Sequence, residues 1–90
     1  MVIHKYRVKL QDEPQSVLMG DRAQLLSVQN QDGFPTIWAM HRDDLKPKEL
    51  RVFQVVATGQ HFDYKATLWH FIGTVQFEGG RLVFHVFELT

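Results

Sequence analysis

Period-two alternation of apolar and polar residues runs through most of this 90-residue chain and is clearest towards its end. Trp69, Phe71, Val75 and Phe77 fall on one alternation phase. After Glu78-Gly79-Gly80-Arg81, the residues Leu82, Phe84, Val86 and Glu88 alternate with Val83, His85, Phe87 and Leu89. Aromatic and β-branched side chains at every second position suit one face of a pleated strand, and paired glycines accept the positive φ angles of a tight turn. The spacing predicts an antiparallel hairpin of residues 68–77 with residues 82–89.

Earlier segments carry the same signature with more interruptions. His4, Tyr6, Val8 and Leu10 alternate with Ile3, Lys5, Arg7 and Lys9, giving a strand with one apolar and one mainly basic face. Residues 16–19 read as a short return strand after the Asp12-Glu13-Pro14 turn, and Gly20-Asp21-Arg22 ends it. The period of residues 23–29 is ambiguous between helix and strand. Strand is preferred because Asp32-Gly33 and the apolar run 34–40 follow at hairpin spacing. Ile37 and Ala39 should face one way, Trp38 and Met40 the other. Residues 41–49, rich in Asp and Lys, read as a polar, solvent-exposed loop. Residues 50–57 then form a nearly continuous apolar strand suited to a central, doubly covered position. The expected architecture is a single mostly β domain over residues 1–90. Six to seven antiparallel strands joined by sequential hairpins would close into a barrel or a sandwich, with at most a short helical turn.

Composition narrows the function classes. Ten basic residues balance ten acidic ones, without a run of like charge, so nothing in the totals advertises a phosphate-backbone binder. The chain has no cysteine, which removes disulfides, thiolate metal sites and cysteine nucleophiles. The five histidines, taken with Asp43, Asp44 and Asp63, lack the spacing of a metal centre. Ser16 and Ser27 occupy no glycine-flanked elbow. No metal, cofactor or catalytic residue is expected, and the protein is read as a non-enzyme. Strand pattern starts at the N-terminus, and no apolar stretch approaches the ~20 residues of a membrane span, so a cytosolic location is expected. Zero net charge and a small core favour self-association.

One segment stands out as a candidate site. Thr58-Gly59-Gln60-His61 leaves the densest apolar strand. Its glycine permits close approach, and Thr58, Gln60, His61 and Tyr64 supply donors and acceptors beside Phe62. A binding site for a polar or anionic partner is placed at Thr58, Gly59, Gln60, His61 and Tyr64, with help from Arg51 and Trp38. The bland alternative is a strand-ending turn. Trp38, Trp69 and Phe34 are likewise core candidates first. A base-stacking role requires at least two of them to face solvent beside basic side chains.

Several stretches together resemble a family of small tailed-bacteriophage proteins of unknown function. They are Ile3-His4-Lys5-Tyr6, the run from Leu26 to Gly33 followed by Ile37-Trp38-Ala39, Ala57-Thr58-Gly59, and Phe71 to Glu88 with its Gly79-Gly80-Arg81-Leu82-Val83-Phe84-His85 core. Members typically show Gly-Thr-Gly-His where this chain has Ala57-Thr58-Gly59-Gln60-His61, so His61 is displaced by one position. The resemblance implies an accessory protein of the host cytoplasm that acts by binding. It would inhibit a host or defence protein, or sequester a small polar ligand such as a signalling nucleotide, as a homo-oligomer. A single-stranded nucleic-acid-binding barrel is the alternative. Clustering of Lys5, Arg7, Lys9, Arg51 and Arg81 beside exposed aromatics would distinguish it.

Overall fold

The computed structural model describes residues 1–42 and 46–90. Among these, the strands in chain order are β1 (Val2–Arg7), β2 (Gln15–Gly20), β3 (Gln24–Gln31), β4 (Phe34–His41), β5 (Pro47–Ala57), β6 (Trp69–Phe77) and β7 (Leu82–Leu89). A 3-10 turn, Glu78–Gly80, links the last two. They form two antiparallel sheets, β1-β4-β3 and β2-β5-β7-β6. The sheets remain separate, so the fold is a sandwich rather than a barrel.

Hairpins join β3 to β4 and β6 to β7, as the turn residues require. Asp32 and Gly33 have φ of 54° and 84°, the pair of positive values that a two-residue loop needs to match strand twist. The Asn30 side-chain oxygen accepts the Gly33 N–H at 3.0 Å. The expectation of sequential hairpins throughout is corrected: β1 pairs with β4, and β2 with β5, so the chain passes between layers. β5 lies between β2 and β7, and its Phe53, Gln54, Val55 and Val56 are all buried.

Two bulges correct the simple alternation. Leu26 is the extra residue of β3, between Leu25 opposite Ala39 and Ser27 opposite Trp38. Ile72 is the extra residue of β6, between Phe71 opposite Phe87 and Gly73 opposite Val86. An extra residue reverses the facing of everything beyond it. Trp69 and Phe71 therefore point away from the core while Val75 and Phe77 point into it, although all four share one sequence phase. The layers approach closely along β3 and β6, where a Cβ on Gly73 would stand 2.9 Å from Val28.

Val8, Met19, Val28, Ile37, Phe53, Val55, Val75, Phe77 and Val86 fill the space between the sheets. The polar loop expected over residues 41–49 is shorter than that. His41 is the last residue of β4, paired with Val2 and only 3% exposed, and Glu49 already pairs with Met19. Its phase carries His41 inward beside Ile37 and Ala39, where the ring lies against Gly20; a Cβ there would meet it at 2.5 Å. Asp43 and Asp44 lie outside the described residues.

Candidate functional site

The outer face of the four-stranded sheet departs from what a solvated sheet should carry. Register places Val52, Leu89 and Trp69 in one row across it, Gln54, Phe87 and Phe71 in the next, and Val56, His85 and Thr74 in a third. Exposed Leu18 and Leu50 pair on the same sheet. Antiparallel sheets with a wet face usually alternate apolar-in with polar-out. Here both phases of β5 and β7 are rich in apolar residues.

Residues 58–68 run over part of this face as a strap. Phe62 packs its ring 5.4 Å from Trp69 and 5.7 Å from Phe87, centre to centre. Tyr64 sits 6.3 Å from Trp69 and 6.2 Å from Phe87, and Phe71 adds a ring 5.4 Å from Phe87. Such spacings are those of attractive tilted and edge-to-face pairs. The strap's end is tied by the N–H groups of Leu68 and Trp69, which both donate to the Lys65 carbonyl, and by Thr90 N–H donating to Leu68. Even so, Phe62, Tyr64 and Phe71 remain 43%, 52% and 59% exposed.

Beside the rings is a pocket of about 210 Å³ lined by Val56, Ala57, Thr58, Gly59, Gln60, Phe62, His85 and Phe87. His85 is its polar centre. Its Nε2 lies 2.8 Å from the Thr58 hydroxyl and its Nδ1 lies 3.0 Å from the Thr74 hydroxyl. Hydroxyls donate or accept, so the ring is held whichever nitrogen carries the proton. Gln60 is engaged in the fold: its Oε1 accepts Ala57 N–H and its Nε2 donates to Asp12 Oδ1, pinning the 9–14 turn.

The residues singled out from sequence thus divide into three places. Thr58, Gly59 and Gln60 line the pocket, with Tyr64 in the adjoining ring cluster and His61 exposed on the strap between them. Arg51 lies some seven residues back along β5, roughly 20 Å away. Its guanidinium donates from Nε to Glu88 Oε2 at 2.6 Å and from a terminal nitrogen to Glu88 Oε1 at 2.8 Å, and it also bonds the Ala23 carbonyl. The Glu88 hydrogen bonds raise its pKa above the already high ordinary value, in spite of burial. The open hollow of about 470 Å³ around this pair presents charges already matched to each other. Trp38 belongs to the other sheet and faces outward, opposite Lys5 on β1 and Ser27 on β3.

His85, Phe87 and Phe71 are not singled out from sequence as site residues, and Trp69, there a core candidate first, stands in the outer ring cluster. Their signal was present as two apolar phases in one hairpin, but the Ile72 bulge hid which rings belonged to which face. Among the described residues no group of three or more His, Asp or Glu is placed to hold a metal ion, and no helix is long and apolar enough to cross a membrane. Comparison with curated proteins and with solved structures finds no match. The chain belongs to DUF7352, a domain of unknown function, whose family model matches residues 1–90.

Proposed function

We propose that this member of DUF7352 is a phage accessory protein of the host cytoplasm that acts by binding and carries out no chemistry of its own. Its working surface is the outer face of the four-stranded sheet, where the strap, the ring cluster and the His85 pocket adjoin. One observation supports this most: five aromatic rings stand on a face the core does not use, and three of them remain about half exposed. Exposed apolar patches on a small domain mark interaction sites, and aromatic anchors dominate the energy of such contacts. The bound species is a host or defence protein that is inhibited, or a small polar ligand that is sequestered with His85 and Thr58 as its polar contacts.

Capture from infected-host lysate tests the reading, with mass spectrometry of both co-purified proteins and released small molecules. Phe71→Glu places a charge on the most exposed ring of the cluster without entering the core. The expected result is a folded variant, by circular dichroism, that loses a partner the native protein retains. Equal capture of every partner by both proteins would move the working surface elsewhere.

A further inference from the structure

We infer that the opposite face of the molecule, the outer side of β1-β4-β3, is a stacking platform for single-stranded nucleic acid. Lys5 stands opposite Trp38, and Arg7 opposite Thr36 with its guanidinium 4.4 Å from the Phe34 ring centre. The Lys5 ammonium lies 6.0 Å from the Trp38 ring and donates to Gln31 Oε1 at 2.9 Å. Phe34 is 42% exposed and Trp38 half-buried on its rim. Two outward aromatic rings stand beside two cations; of the basic residues whose clustering would mark nucleic-acid binding, Lys5 and Arg7 share this face, whereas Arg51 is held by Glu88 on the other sheet and Arg81 follows the turn after β6.

Charge is what singles out this occupant. The chain as a whole is neutral, yet β1, β3 and β4 contain no Asp or Glu at any position. Lys5 and Arg7 form no ion pair among the described residues, whereas Arg51 on the other sheet is matched by Glu88. Two cations without an ion-pair partner among the described residues are thus placed over ring faces on a surface whose strands carry no carboxylate. An unpaired base takes the place of a cation on a ring, and the displaced long side chain turns to the neighbouring phosphate. Ser27, Gln29 and Gln31, on the same face, add hydrogen-bonding groups tolerant of any base. Phe34 and Trp38 are four residues apart on one strand, roughly 13 Å, so they receive two separate bases and do not sandwich one. A duplex hides its base faces and leaves only the phosphates to this surface.

The test is fluorescence anisotropy with labelled oligo-dT and oligo-U of about twelve nucleotides, a length within the site sizes of such platforms. Binding should fall with salt along a logarithmic slope of about −1.4, the value for two neutralised phosphates on a single strand. Lys5→Glu/Arg7→Glu, at exposed positions, should weaken it at least about tenfold with an unchanged melting temperature, and Trp38→Ala by roughly the same factor through lost stacking. A duplex of equal length should compete at least about tenfold more weakly. Phe71→Glu should leave this binding intact, which separates it from the surface proposed above. No binding at low salt, binding indifferent to the Lys5 and Arg7 changes, equal affinity for duplex, or capture by this face of a protein alone would each overturn the inference.

Discussion

Arg51 and Glu88 show how a residue's chemistry is decided by what faces it. A guanidinium on a central strand reads as a donor for an anionic ligand, but here both prongs of the fork are taken by one carboxylate from the neighbouring strand. Glu88→Gln should cost about 2 kcal/mol, the scale of a hydrogen bond to a charged group, because the guanidinium keeps its partial burial and loses its counter-charge. Arg51→Met/Glu88→Leu should recover most of that loss, which urea denaturation of the three proteins would measure. The sign of the pH dependence follows from the raised pKa of Arg51. Stability from a raised cationic group is complete below its unfolded value and is lost only as pH climbs through the folded one. The contribution of Arg51 ionisation is therefore constant from roughly pH 7 to 10. His41 makes the same point at the end of β4. It reads from sequence as the start of a polar loop, and only the glycine opposite makes an inward place for its ring.

Elements were legible where the pattern was regular and obscured where a strand carried one residue too many. The Asp32-Gly33 turn and the long apolar β5 followed from turn chemistry and from hydrophobic density. The ambiguous period of residues 23–29 has a physical cause in the Leu26 bulge, which breaks a strand pattern in a way that mimics helical spacing. The Ile72 bulge misled in the opposite direction, joining two faces into one apparent phase. The strap could be located from its irregularity, but its aromatic contacts are long-range and left no local mark. The rings of Phe62 and Tyr64 attach its middle to the sheet. Phe62→Ala should therefore raise the rate of proteolytic cleavage within residues 58–68 severalfold while shifting the global melting temperature little, since opening there is local. A variant cleaved no faster than the native chain would show the strap to be held by its ends.

At the scale of the molecule, the sandwich is a flattened body of 41 × 30 × 17 Å with a radius of gyration of 13.1 Å, against about 12 Å for a compact chain of this length. Its accessible surface is 5864 Å², against about 5400 Å² for a typical monomer of this mass. Where no partner occupies it, the ring-bearing outer face of a thin sandwich gains by being covered with a second copy, so copy and partner compete for the one surface. Sedimentation at micromolar concentration should give a dimer or larger assembly, and Phe71→Glu should return it to the monomer. A single 10.5 kDa species for the native chain would refute this. The mutual orientation of the two outer faces then sets a valency. A pair closed through the aromatic faces turns its two cationic faces to opposite outsides, separated by about twice the 17 Å thickness of one copy. A short strand could then reach one face of the pair only, whereas a long strand could wrap to the other or tether neighbouring pairs. Affinity would rise with strand length in a step, at the length where the second contact becomes intramolecular.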